Sequence, residues 1–472
     1  MRAPFIALAL LTACATAPPK KEPRPHAAAE EPQPDFAPVS RPSETVLLTG
    51  GTLLTAVGPP VKGNLLIRDG RIAAISEGPL DPPPGAQVID VTGRFVAPGI
   101  IDSHSHIGVF PAPGDPSLAD GNEMTGPAQP DVRAEHGFWP QDPQIERAVV
   151  GGVTAVQVLP GSGNLIGGRS TTVKLHPGIS ARAMRFPGAP WGLKMACGEN
   201  PRRVYGQRTQ KPSTRMGNMA LFRERFQKAR EYRDTWRRAQ EAERDWRRSG
   251  QGEDKRPAPP SRDLGLETLA AALDGRILVH VHCYRADEMI QMLELADEMG
   301  FHVRSFHHAV EAYKIRDVLA AHQTSVSTWA DWWGFKLEAN DAIPQGAGLL
   351  AEAGARAIIH SDSATGLQRL NQEAAKALYA ARQAGIEVSD EEALRWITLH
   401  PAWALGIDAQ TGSLEVGKMA DVVVWSAHPF SVYARADLVW IDGVREWDAA
   451  RKAPPWSDFD LGALPGVEEG LR

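Results

Sequence analysis

The chain has 472 residues, 43% of them hydrophobic, which is enough for a large core and more than one domain. A net charge of −6 excludes a strongly basic nucleic-acid surface, and three cysteines are too few for a disulfide framework. No apolar run is long enough to span a bilayer as a helix of the mature chain.

From the N-terminus, Arg2, the apolar stretch 5–11 and Thr12-Ala13-Cys14 follow the charged, apolar and small-residue order of an export signal. Leu11-Thr12-Ala13-Cys14 also resembles the bacterial lipoprotein box. The resemblance implies cleavage before Cys14, lipid on its sulfur and, with Ala15 next, sorting to the outer membrane. The expected location is therefore the cell envelope or periplasm, with contact to a membrane only through the lipid on Cys14. Residues 15–43 are rich in Pro, Ala and charge without apolar periodicity, and are expected to be a tether.

Residues 44–95 alternate short apolar runs with turns, and Asp69-Gly70 between two such runs is a hairpin signal. Residues 409–450 repeat that texture, so the two pieces are expected to complete one small β-sandwich. Between them, in 96–408, apolar runs alternate with helical stretches. The runs are Gly99–His106, Val153–Leu159, Thr171–Leu175, Gly192–Cys197, Ile277–His282, Phe301–His308, Thr324–Trp329 and Ala355–Ser361. They predict an α/β fold, a (β/α)8 barrel of parallel strands. Residues 212–260 interrupt the rhythm. Within them 219–248 lacks Gly and Pro and predicts one long amphipathic helix with a solvated, charged face. Residues 451–472 form a tail.

Chemistry in such a barrel gathers where strands end. His104 and His106 end the first predicted strand, two residues apart and so on one face. Lys194 lies on the fourth, with Glu199 just beyond. His280 and His282 end the fifth, His307 and His308 the sixth, and His360 and Asp362 the eighth. Imidazole and carboxylate converging from several strands are a donor set for divalent cations. Strand alternation puts His280 one layer below His282, and His360 one layer below Asp362, where it can orient that carboxylate. The same alternation turns His307 away from the lumen. Lys174, near another strand end, competes with Lys194. Cys197 and Cys283 flank these positions and are read as buried free thiols, with a disulfide open if the protein is exported.

Three segments carry a resemblance to the amidohydrolase superfamily, in particular its imidazolonepropionase-like and prolidase-like branch. They are Val96-Ala97-Pro98-Gly99-Ile100-Ile101-Asp102-Ser103-His104-Ser105-His106, Thr398-Leu399-His400-Pro401-Ala402-Trp403-Ala404-Leu405-Gly406 and Gly412-Ser413-Leu414-Glu415-Val416-Gly417-Lys418-Met419-Ala420-Asp421. The second has His400 where the family usually has Asn. The resemblance covers Val46 to Glu446. It implies a site for two divalent metals, expected to be zinc. His104 and His106 would hold the more buried ion, and His282 and His308 the other. Lys194, as a carboxylated (carbamylated) lysine, or else Glu199, would bridge them. Asp362 would be both ligand and general acid/base.

The implied reaction is hydrolysis of a C–N bond, amide or cyclic amide, by metal-bound hydroxide. Arg202, Tyr205 and Arg215, on loops expected above the barrel mouth, are candidates to clamp a substrate carboxylate, with His280, one layer down, either supporting the ligands from behind or facing the substrate. Trp329, Trp332 and Trp333 are candidates for an apolar wall. A dipeptide or N-acyl amino acid suits this set, with an imidazolone ring as the alternative. The expected partners are this small-molecule substrate and no nucleic acid, and homo-oligomerisation stays open. Two readings of other classes also stay open: a metal-bearing envelope protein that binds without turnover, and a scaffold that uses the 219–248 helix.

Overall fold

The computed structural model describes residues 42–332 and 334–451. The expectations for the leader, Cys14, most of the tether, Trp333 and all but the start of the tail lie outside the described residues. The first strands of the chain are β1 (Val46–Leu53), β2 (Val61–Arg68), β3 (Arg71–Ser76), β4 (Gln87–Asp90) and β5 (Phe95–Pro98). Asp69 and Gly70 both take positive φ, 53° and 72°, between β2 and β3, so the predicted hairpin turn is formed.

Eight barrel strands follow: β6 (Ile100–Ser105), β7 (Val153–Val158), β8 (Ile166–Lys174), β9 (Gly192–Ala196), β10 (Leu278–His282), β11 (Val303–His307), β12 (Ser325–Thr328) and β13 (Ala357–Ile359). The chain then returns to the first region with β14 (Val422–Trp425), β15 (Ala436–Ile441) and β16 (Val444–Asp448).

The end strands form one open sheet in the order β16-β15-β14-β5-β1-β2-β3, with β4 also paired to β1. It is a single hydrogen-bonded path where a two-layer sandwich was expected. Side chains from both arms of that path, among them Leu65, Ile67 and Ile72 on one and Val422, Val424 and Trp440 on the other, share one core cluster. The sheet therefore curls over its own apolar face. This buries the alternate residues of each strand without a second sheet.

The barrel strands lie in chain order, β6 to β13, in a second sheet. Most are buried on both faces, as strands covered by helices must be. One strand departs from the prediction: β8 is antiparallel to both β7 and β9. The link 159–165 contains no helix, and a parallel return needs a crossover of about a dozen residues. The path stops short of a full ladder between β13 and β6. There Asp362 N donates to His104 O at 3.1 Å, and Ser361 N donates to Asp102 Oδ1 at 3.2 Å.

The predicted insertion is a helix over Arg215–Ser249, placed between β9 and β10. Leu221, Phe222, Phe226 and Trp236 are its buried face, and Phe226 stacks on Phe301 at 4.3 Å. Among the described residues no helix is long and apolar enough to cross a membrane.

Candidate metal centre

His104, His106 and Asp362 bring one ligand atom each to within 4.8 Å of one another. They come from β6 and from the residues just after β13. Asp362 takes a left-handed φ of 50°, which turns its carboxylate back over the strand end. His106 Nδ1 lies 2.9 Å from Leu159 O, an acceptor only, so Nδ1 carries a proton and Nε2 is the atom turned toward the site. Nε2 faces Asp362 Oδ1 at 3.2 Å and His104 Nε2 at 3.4 Å. Imidazole nitrogen and carboxylate oxygen are donors that divalent cations take, and here three of them converge. The donor set therefore fits a divalent metal.

Burial pushes the Asp362 carboxyl upward. The hydrogen bond and charge of His106, with the charges of His360 and Lys194, outweigh that and hold it below the usual range. Burial holds His104, His282 and His308 neutral, well below the usual imidazole value. Neutral imidazole is the metal-binding form.

Lys194 and the other histidines gather around this triad. Lys194 Nζ lies 3.4 Å from His104 Nε2. Burial depresses its ammonium to about 7, against the opposing charge of Asp362. His308 Nδ1 is 3.8 Å from Asp362 Oδ2, and the rings of His282 and His308 meet edge to face at 4.7 Å. The Nδ1 atoms of both are buried without a hydrogen-bond partner. Glu199 opens a short helix, Glu199–Gly206, and pairs with Lys336 Nζ at 3.6 Å. Lys194, and not Glu199, reaches the His104 imidazole.

A chain similar along nearly this whole span has a known structure. The amidohydrolase from Thermotoga maritima is 36% identical, with a TM-score of 0.77 over 85% of this chain and 100% of that one. The chain belongs to the amidohydrolase family. A model of that family matches residues 338–445. Amidohydrolase tasK of Hapsidospora irregularis is 34% identical over 406 residues, 82% of this chain and 40% of the relative, so the chain spans two-fifths of that protein. Imidazolonepropionase of Symbiobacterium thermophilum is 26% identical over 82% of this chain and 92% of its own length.

Several sequence expectations need correction within this amidohydrolase site. His307 does not turn away from the lumen. Its Nδ1 lies 2.9 Å from His104 Nδ1 and its Nε2 lies 2.9 Å from His280 Nδ1. The reason is local: His308 has a φ of 58°, so β11 ends at His307 and alternation stops there. Both rings then reach the site. His280 does not face a substrate, because it is fully buried between His307 and Gln157. His360 donates nothing to Asp362, since both its ring nitrogens are without a partner among the described residues. Lys174 leaves the competition: it is buried 2.9 Å from Asp421 and also pairs with Asp442, tying β8 to the end-strand sheet.

The expected clamp also dissolves. Tyr205 is buried, its hydroxyl 2.6 Å from Asn164 Oδ1, where it packs a loop. Arg215 Nε lies 3.1 Å from Glu288, and its guanidinium also pairs with Glu338. Arg202 sits in the Glu199–Gly206 helix, not on a loop. Cys197 and Cys283 form a disulfide.

Sequence reasoning missed Lys336. Its Nζ lies 3.8 Å over the Tyr284 ring and 3.4 Å from Asn200 Oδ1, and Asn200 Nδ2 lies 3.4 Å from His282 Nε2. Its only sequence signal was its place on the long loop after the seventh predicted strand.

Proposed function

We propose that the protein is a metal-dependent hydrolase that cleaves a C–N bond, amide or cyclic amide, in a small molecule. The observation that carries this is the convergence of His104, His106 and Asp362, whose ligand atoms lie within 4.8 Å of one another. A divalent cation held there would lower the pKa of a coordinated water toward 7 and polarise a carbonyl. We read the second ion as held by His282 and His308, whose unpartnered Nδ1 atoms support this, with zinc the expected element. Lys194 would lie between the two. At a pKa of about 7 much of its amine is uncharged near neutral pH and able to take up carbon dioxide as a carbamate.

Asp362 does the proton work in this reading. It is ionised, and its side chain is 25% exposed, so it can face both the triad and a substrate. It takes the proton of the attacking water and returns it to the leaving nitrogen. Trp329 stacks on His308 at 4.7 Å and continues to Trp332 and Phe335, which are exposed, as an apolar wall. Lys336 stands one residue from His282, paired with Glu199 at 3.6 Å and Glu338 at 3.7 Å, and would exchange these carboxylates for that of a substrate. A dipeptide or N-acyl amino acid fits this pairing. The imidazolonepropionase relative favours a second reading, a cyclic amide of the imidazolone class.

The disulfide supports export, because such bonds persist in oxidising compartments. We therefore retain the envelope location with Cys14 as the lipid anchor.

The test is metal analysis of the purified protein, joined to a hydrolysis screen of dipeptides, N-acyl amino acids and imidazolones. The expected result is two metals per chain and turnover of one of these classes. A fully loaded protein that turns over none of them would overturn the reading.

A further inference from the structure

A chain of buried hydrogen bonds leaves the candidate metal centre on the side away from solvent. His104 Nδ1 meets His307 Nδ1 at 2.9 Å, His307 Nε2 meets His280 Nδ1 at 2.9 Å, and His280 Nε2 meets Gln157 Nε2 at 3.2 Å. Gln157 Nε2 also donates to Ser170 Oγ at 2.9 Å. All three rings are fully buried, and each nitrogen–nitrogen contact takes one donor and one acceptor, which a ring with a single proton supplies at its two nitrogens.

One proton per ring makes the chain directional. The Gln157 NH2 can only donate, so His280 Nε2 accepts and His280 carries its proton on Nδ1. His280 Nδ1 then donates to His307 Nε2, and His307 Nδ1 donates to His104 Nδ1. His104 is left with its proton on Nε2, the atom aimed at His106 and Asp362. In that tautomer His104 cannot bind a metal. Rotating the Gln157 amide by half a turn puts Oε1 against His280 and Ser170. Every bond then reverses: His280 Nε2 donates to Gln157, His307 Nε2 to His280, and His104 Nδ1 to His307. The His104 Nε2 lone pair becomes free.

As the amide stands, Oε1 is buried without a partner. The rotated amide would leave its NH2 at that same place. Neither orientation satisfies the whole side chain, so the two lie close in energy and a ligand at His104 can decide between them.

We propose that Gln157 is a positioning residue for the metal: acting through His280 and His307, its amide sets which nitrogen of His104 carries the proton. The inference rests on His104 being a ligand, as read above. Loading with a divalent cation then removes the proton from His104 Nε2 and places one on His280 Nε2. Each ring still holds one proton, so the chain releases none overall.

The direct test uses the wild-type protein, stripped and then loaded with zinc alone. Long-range nitrogen–hydrogen NMR correlations of ¹⁵N-labelled histidine read the tautomer of each ring. The proton of His280 is expected on Nδ1 without zinc and on Nε2 with it. Zinc that binds while the His280 tautomer stays unchanged overturns the inference and leaves the functional reading standing. Failure of His104 to respond to zinc at all overturns both.

Variants give a second measure through chelator competition for zinc. Gln157→Met, which cannot accept from His280, should weaken binding by about 10- to 100-fold. Gln157→Glu, which presents an acceptor to His280, should stay within about threefold of wild type, well inside that loss. Equal affinities for the two folded variants would overturn the proposal.

Discussion

At the scale of single residues, the site is set by which lone pairs burial leaves bare. Asp362 is the one carboxylate of the candidate triad. Asp362→Asn should lower turnover by about 10²- to 10⁴-fold, the usual range for a lost acid/base group. Metal content measured on the same sample separates that loss from loss of the ion. Wild-type turnover in a loaded Asp362→Asn protein would remove the proton role. Asp102 gives a pH prediction. Burial raises its carboxyl from 3.8 to about 7, against hydrogen bonds from Ser361 and the His104 amide. Between those two values the folded, metal-free protein holds a proton that the unfolded chain has released. The stability from this group is therefore full below 3.8 and lost as pH rises to about 7. Urea melts of stripped protein should show that fall, and Asp102→Asn should flatten it. An identical pH slope in both proteins would contradict the assignment.

At the scale of elements, the sequence was readable wherever the strand period held. All eight barrel strands fell within a few residues of their predicted positions, and His104, His106, Lys194, His282, His308 and Asp362 meet as their strand ends implied. It failed where the backbone left the period, as at His308, whose positive φ brings two consecutive imidazoles to one side. The substrate clamp failed for a different reason. Whether Arg215 is free depends on Glu288 and Glu338, which are distant in sequence and bury their carboxylates against it. The direction of β8 was not legible, because the predicted strand began at Thr171 and left a link near crossover length, whereas β8 begins at Ile166.

Lys174 shows the cost of such partnerships. Buried between Asp421 and Asp442, it joins β8 to the end-strand sheet. Lys174→Met leaves two carboxylates without their cation and should destabilise by about 3–5 kcal/mol. Thermal and denaturant melts check this, and a change under about 1 kcal/mol would show that the cluster relaxes freely. The Cys197–Cys283 disulfide ties the ends of β9 and β10 across the whole helical insertion, a separation of 86 residues. A loop of that length is worth about 4.6 kcal/mol in the chain-entropy account. Reduction should therefore lower the melting temperature, and Cys283→Ser should match the reduced protein. Equal melting before and after reduction would show that the insertion is held by its packing alone.

At the scale of the whole molecule, the metal centre lies on the seam of the barrel. The hydrogen-bonded path begins at β6 and ends at β13, and these two strands are its only unjoined edges. The triad crosses that gap, with His104 and His106 on the β6 side and Asp362 on the β13 side. A cation bound there would staple the first strand to the last, next to the contacts from Asp362 N to His104 O and from Ser361 to Asp102. Metal binding should thus stabilise the fold by linkage, by about 2.7 kcal/mol when the free ion is at a hundred times its dissociation constant. The gain should also be localised. Hydrogen exchange should slow most at the amides of β6, β13 and Asp362 on loading, and least in the distal part of the Arg215–Ser249 helix, whose final turns are solvent-exposed. Protection spread evenly over both sheets would mean that the ion tightens the molecule globally and that the seam closes without it.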